Sequence, residues 1–513
     1  MDINPGTCVW SKTIHERLKP RRHILIEPDA DMYRPVLDSL LNTPDSRYTH
    51  VQKSGLVWPH LQTILSPQYL PEQHKPARED PKLEEKNNTL LVLVNLGFWP
   101  MKGYRGFNSM AQLVLYQFMT ASRTRSLFQR YGRVRFLVWT NDDEKHIVMP
   151  RDILSRKKSS AEIEIAFEEV NEVASSTIDK AVYQRRTFAE EEALGRLVVE
   201  RMSKAGYTTP QGRESVLLQQ LQGKLPPTEP RPWAASKQQL DLVKETQEKF
   251  DSGKAQVFMD SPQSGKKMHT PEYRKLAKML IMVKYHVNRM QKARSIFERY
   301  VKLIHLHKQI VDQKKTGADV TVLQRDLQEG MTEWEIELSS SSIDTQSITN
   351  SLVDDYRATS PELPLLNYDR RKYEPLLVRD DEFFPAQPLC LLDFQPAANW
   401  PLITDQNSQG GAHRDALEYI VGTFFTTPAQ SVNATLKSLW PGAHEWIVDR
   451  CPSLKDPSKG GAVDLDTLRA RSVTREMFKE ILEAWSTWPF RPSRHELISK
   501  LGSEGFDPET AVT

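Results

Sequence analysis

Over the first 175 residues the apolar positions fall into short strand-like runs separated by longer helix-like stretches. The most continuous run is Leu90-Leu91-Val92-Leu93-Val94, which meets Asn95 and passes into Leu96-Gly97-Phe98-Trp99-Pro100. Such a run suits a strand buried on both faces, as in a parallel sheet. Shorter runs at 22–29, 48–52, 134–140 and 163–173 predict further strands. Helical spacing at 10–18, 30–41 and 107–129 predicts helices between them, and 66–88, rich in Pro, Glu and Lys, reads as a surface loop. Alternation of this kind indicates a doubly wound α/β sheet.

The pattern changes near residue 180. A charged helix is predicted over 187–205, then a Pro-rich linker at 226–233, then one long helix over 273–315 without Pro or Gly. The polar residues at 339–342 and beyond read as linker. Strand-like texture returns at 373–378 and 383–394, where the prolines suit a strand edge or entry. Residues 416–485 read as a compact helical domain, with Thr474 as a helix cap ahead of Met477, Phe478, Ile481 and Leu482 on one face. The expected organisation is an α/β domain over 1–175, a mainly helical insertion over 176–370, returning strands over 371–410 and a helical domain over 411–513.

Composition narrows this only a little. The 513 residues carry a net charge of +2, so the chain is not polybasic overall and any nucleic-acid surface must be local. One local source is the 273–315 helix, whose polar faces include Lys284, Arg289, Lys292, Arg294 and Arg299 against few acids. A basic amphipathic helix lies on phosphates or on a partner helix, or is simply solvated. Cys8, Cys390 and Cys451 have no CxxC spacing, which excludes a disulfide framework or cysteine zinc site and suits a reducing compartment. No run reaches transmembrane length. His305 and His307 alternate along the long helix and are not read as metal ligands. Ser264-Gly265-Lys266 lacks the upstream glycine of a phosphate-binding loop.

Candidate chemistry gathers at strand ends. Asn95 ends its strand where open α/β sheets place ligands, with Phe98 and Trp99 as flat stacking partners. An amide beside stacking rings suits a planar hydrogen-bonding group such as a nucleobase; the plainer reading is a buried strand ended by an Asn turn. At the amino terminus, Asn4-Pro5-Gly6-Thr7-Cys8 leads into a helix, followed by a short strand ending at Glu27. In nucleotide-binding units that carboxylate holds ribose hydroxyls and the glycine turn lets backbone approach the ligand. Only Met1 to Ile3 precede the turn, so the first strand is expected to be badly shortened and the natural chain to begin upstream.

The order of these parts resembles the ribosomal RNA adenine N6-dimethyltransferases, including the mitochondrial transcription factors descended from them, over roughly residues 1–175 and 370–485. Asp2-Ile3-Asn4-Pro5-Gly6-Thr7-Cys8 is similar to the family's E-I-G-P-G-x-G loop for S-adenosylmethionine. Glu27 falls on the ribose-binding acid, and Ser54 on an Asp near the cofactor's adenine. Asn95-Leu96-Gly97-Phe98 is similar to the N-L-P-Y catalytic loop, and Phe384-Pro385-x-x-Pro388 to the F-x-P-x-P segment. The region 436–477 resembles the small C-terminal helical domain with its R-A-x-x-[LV]-[ST] stretch.

The resemblance implies a Rossmann-like methyltransferase sheet with a large helical insertion, as in fungal mitochondrial members. It also implies S-adenosylmethionine contacts at Asn4, Gly6, Glu27, Ser54 and Asn95. In an active enzyme Asn95 and a backbone carbonyl orient a target adenine amino group, while Phe98 stacks on the extruded base. Three departures weigh against efficient dimethylation. Asn4 and Cys8 stand where the family has glycines, the Cys8 side chain being expected to narrow the pocket. Ser54 replaces a carboxylate, and Gly97 replaces a stiffening Pro. The expected function is a monomeric initiation factor of the mitochondrial matrix that binds the single-subunit RNA polymerase and promoter DNA. The alternative is a working methyltransferase acting on ribosomal RNA.

Overall fold

The computed structural model describes residues 1–77, 80–97, 103, 107–176, 186, 188–226, 237–260, 266–361, 363–404 and 410–503. These form two compact units, one of residues 1–180, 193–225 and 358–513, the other of 181–192 and 226–357.

The first unit is built on one sheet. Its strands are β1 (Asp2–Ile3), β2 (His23–Ile26), β3 (Tyr48–Val51), β4 (Lys86–Asn95), β5 (Arg133–Asn141), β6 (Phe167–Ser176), β7 (Leu376–Val378) and β8 (Leu389–Pro396). They lie in the order β3-β2-β1-β4-β5-β8-β6-β7. All neighbours are parallel except β8, which runs antiparallel to both β5 and β6. The sheet is therefore mixed, mostly parallel and Rossmann-like.

β1 has two residues yet occupies the middle of the sheet, with Asp2 opposite both Leu25 and Leu93. The chain proceeds outward from β1 through β2 to β3, then crosses to β4 on the other side. The strand order thus reverses at β1/β4, where doubly wound sheets open a crevice beyond the strand ends. Ile3, Val92 and Val94 are buried, as a central parallel strand pair requires.

An aromatic cluster of Phe118, Phe128, Phe136, Phe167 and Phe394 fills the core below β5, β6 and β8. Prolines 385 and 388 precede β8 rather than interrupting it, so they cost this internal strand no ladder hydrogen bonds.

The strand expected at 163–173 starts only at Phe167; Lys158–Ala166 is a helix. Ile163 packs into the sheet core and Ile165 into the core of the C-terminal helices. A helix buried on opposite sides loses its one-sided stripe, and its Ile-x-Ile spacing imitates a strand.

Helices Gly410–Thr426, Val432–Leu439, Ala443–Arg450 and Arg475–Thr487 enclose that second core around Phe424, Leu436, Ile447, Phe478 and Trp485. Thr474 caps the last of them, accepting the Met477 amide at 3.3 Å. Arg156 and Glu164 form a fully buried pair, 2.6 Å apart at Nη2 and Oε2, and Arg156 also donates to the Arg471 carbonyl.

The second unit contains helices Lys237–Asp251, Pro271–Lys315 and Thr321–Ser339, most of Ile343–Thr359, and a small hairpin of Phe258–Asp260 with Lys267–His269. Its core joins Ile296, Tyr300, Ile310, Leu327, Met331, Trp334 and Val353. No helix among the described residues is long and apolar enough to cross a membrane.

Candidate functional site

Four strand-end segments lie at the β1/β4 switch point. The loop after β1 carries positive φ at three alternate positions: Asn4 at 57°, Gly6 at 56° and Cys8 at 56°. Left-handed backbone is natural for Gly and tolerated by Asn, but costs other residues roughly 1–2 kcal/mol. The two replaced glycines of the resembled motif therefore keep a glycine-like path. The expectation that Cys8 narrows a pocket does not hold. It is 1% exposed and clusters with Leu25, Ala30 and Leu37, so its bulk lies in the core. Burial, reinforced by the Asp2 charge, pushes its thiol pKa up to about 12.

Glu27 stands at the end of β2 and is only 4% exposed. Its Oε2 accepts the Gly6 amide at 2.9 Å and its Oε1 the Asp29 amide at 3.1 Å. The carboxylate thus clasps the β1 loop to the start of the helix Ala30–Leu41. Tyr33 of that helix lies near Gly6, and burial, with Glu27 and Asp29 nearby, raises its pKa.

Ser54 follows β3, half buried, and accepts the Leu56 amide at 3.3 Å. Beside it Gly55 is sterically obligatory: a Cβ there would lie 2.6 Å from Cγ2 of Ile3.

Asn95 ends β4 with an exposed side chain. Its Oδ1 accepts the Gly97 amide at 3.0 Å, closing an Asx turn. Asn4 Nδ2 donates to the Asn95 carbonyl at 3.2 Å, joining the two loops. Leu96 is buried and bonds the Trp139 carbonyl at 2.7 Å. Gln387 Nε2 donates to the Gly97 carbonyl at 3.0 Å, so this loop is stiffened without a proline. A Cβ at Gly97 would lie 2.9 Å from Leu389. Phe98, the expected stacking residue, lies outside the described residues, as does Trp99.

The structure thus brings Asn4, Gly6, Glu27, Asn95, Leu96 and Gly97 together, whereas the Ser54 hydroxyl faces its own turn. Aromatic side chains gather near the same end of the sheet, and of these only Phe384 was named from the sequence. Trp139, in register with Asn95, packs edge-on to Trp10 at 5.8 Å and to Phe383 at 5.3 Å, and Phe384 is fully exposed. A buried charge network was also missed. Lys145 Nζ lies 2.7 Å from Asp142, 2.9 Å from Glu172 and 2.6 Å from the Ser175 hydroxyl. Burial would lower the Lys145 pKa, but Glu172 and Asp142 outweigh it and hold it above the usual value. No local periodicity signals this network, because Asp142 and Lys145, which follow β5, meet Glu172 and Ser175 of β6 only through the sheet pairing.

The donor set is a mixed fit to S-adenosylmethionine. The loop backbone has the required path. The carboxylate assigned to ribose hydroxyls, however, is buried and already accepts two amides of its own chain.

The basic residues singled out on the long helix lie in the second unit and divide into two groups. Arg289 pairs with Asp344, Arg294 with Glu190 at 3.5 Å, and Arg299 with Glu337 at 2.8 Å. Lys284 and Lys292 are exposed and have no ion-pair partner among the described residues. The acids come from other helices, which sequence spacing along one helix does not reveal.

No protein-family model matches the chain, and a search of curated proteins finds no match.

Proposed function

We propose that this chain is a transcription initiation factor of the mitochondrial matrix, derived from a ribosomal RNA adenine dimethyltransferase. In this reading the sheet domain is a nucleic-acid clamp that works with a single-subunit RNA polymerase at melted promoter DNA. The observation that carries it is the state of Glu27. A ribose receptor needs carboxylate oxygens turned to the crevice. Here both oxygens hold the chain's own loop amides in a buried setting. The group then serves to fix the fold, and the crevice rim, with Trp10, Trp139, Phe383 and Phe384, offers apolar faces for unstacked bases.

One observation favours the alternative, an active methyltransferase on ribosomal RNA. Asn95 remains exposed at the switch-point strand end, joined through Asn4 to a loop with glycine-like backbone. Two assays separate the readings. Promoter opening is followed by fluorescence of a base analogue placed in the melted region, with and without the polymerase. Methyl transfer to a ribosomal RNA hairpin is measured for the wild type and Asn95→Ala. Polymerase-dependent opening without transfer supports the factor. Asn95-dependent transfer without opening supports the enzyme and overturns the proposal.

A further inference from the structure

The helix Pro271–Lys315 carries twelve Lys and Arg against three acids. One stripe along it is exposed throughout: Lys278, Ile281, Tyr285, Asn288, Lys292 and Arg299. Lys278, Tyr285, Lys292 and Arg299 recur at seven-residue steps, two helical turns apart, so they share one face. Each lysine lies about 10 Å along the axis from Tyr285. Lys278 and Lys292 have no ion-pair partner among the described residues, whereas Arg299 is paired with Glu337. Further along the same helix Ile296, Tyr300 and Ile310 are buried in the unit's own core.

Tyr285 is 54% exposed and is held in place from beneath. The Arg289 guanidinium sits 4.3 Å from its ring centroid, and Arg289 is in turn pinned by Asp344. Arg289 is therefore a positioning group for the ring and not a phosphate contact.

We infer that this stripe is a binding track for single-stranded nucleic acid, with Lys278 and Lys292 on phosphates and a base stacked on the outer face of Tyr285. The inference rests on the nucleic-acid reading above and adds the strandedness and the contact residues. A flat ring set between cations matches an unpaired strand, which offers both phosphates and open base faces; a duplex keeps its base faces stacked. An anionic membrane surface is the poorer match. The exposed apolar residues Leu280, Ile281 and Met282 occupy a single turn, whereas an interfacial helix needs a continuous apolar face.

The test uses the full chain and a short fluorescent oligothymidylate, followed by anisotropy across a salt series, with a duplex of equal length and anionic phospholipid vesicles as competitors. The expected results are preference for the single strand and at least roughly fivefold weaker binding by Tyr285→Ala. Tyr285→Phe, which keeps the ring, is expected to bind like wild type. The Lys278→Ala/Lys292→Ala variant is expected to flatten the slope of log affinity against log salt by about 1.4. All these positions are exposed, and unchanged circular dichroism checks the fold. Unaltered oligonucleotide binding by Tyr285→Ala and by Lys278→Ala/Lys292→Ala overturns the track while leaving the nucleic-acid reading intact. Preference for the duplex, or displacement by vesicles, also overturns it. No binding by wild type overturns both.

Discussion

Truncating Glu27 distinguishes a structural clasp from an idle ligand receptor. Its two oxygens accept the Gly6 and Asp29 amides at 2.9 and 3.1 Å, and the residue is 4% exposed. Hydrogen bonds to a charged acceptor contribute roughly 1.5–3 kcal/mol each. Gly6 and Asp29 are less buried than Glu27, so water partly replaces the lost acceptor. The lower end of that range is therefore appropriate, and Glu27→Ala is expected to cost about 3 kcal/mol locally. The loop would loosen readily, because Cys8 is held at positive φ against its own preference. A change of about 3 kcal/mol corresponds to roughly 100-fold faster exchange of amides that open locally. Hydrogen exchange read by mass spectrometry on peptides containing Gly6 and Asp29 is the assay. Glu27→Gln keeps one acceptor oxygen and is expected to lie between, at roughly tenfold. Unchanged protection of both peptides in Glu27→Ala would refute the clasp and return the carboxylate to the role of a ligand group.

Three further outcomes are expected. Gly55→Ala drives a Cβ to within 2.6 Å of Ile3 and should lower stability by about 1–3 kcal/mol, measured by chemical denaturation; wild-type stability would contradict the packing of β1. Glu164→Ala leaves the buried Arg156 uncompensated and should cost roughly 3–5 kcal/mol, seen as early melting of the C-terminal helices; wild-type melting would contradict the burial of the pair. Cys8 should resist alkylation in the folded chain at pH 9 and react on unfolding. The folded thiol keeps its proton up to about 12, whereas an unfolded one loses it near about 8.5. Its contribution to stability is thus complete below about 8.5 and is lost as the pH rises towards 12. Rapid native labelling at pH 9 would contradict its burial.

The sheet was legible where each strand reports its own burial. Leu90 to Val94 is apolar on both faces because both faces of β4 are buried, Val92 and Val94 on one side and Leu93 on the other. The short β1 was legible from the position of the Pro5-Gly6 turn. The position of β8 between β5 and β6 was not, because strand order depends on long-range pairing that no local pattern encodes. Lys158–Ala166 was misread because two cores bury it from opposite sides.

At the site, Asn95, Gly6 and Glu27 were found through strand-end position, and the structure brings them together. What those groups bond to was not legible. The Glu27 contact with Gly6 spans twenty-one positions, and Gln387 reaches Gly97 across 290. Likewise the arginines of the long helix looked available until Glu190, Glu337 and Asp344 were placed beside them.

We propose that the strand-end site at β1/β4, where Glu27 is engaged by amides of its own chain, serves nucleic acid and not a cofactor. Calorimetric titration of the full chain with S-adenosylmethionine tests it most directly. The account expects no binding heat, with wild type and Glu27→Gln indistinguishable. Saturable binding that Glu27→Gln abolishes would contradict it, since the carboxylate would then be a ribose receptor.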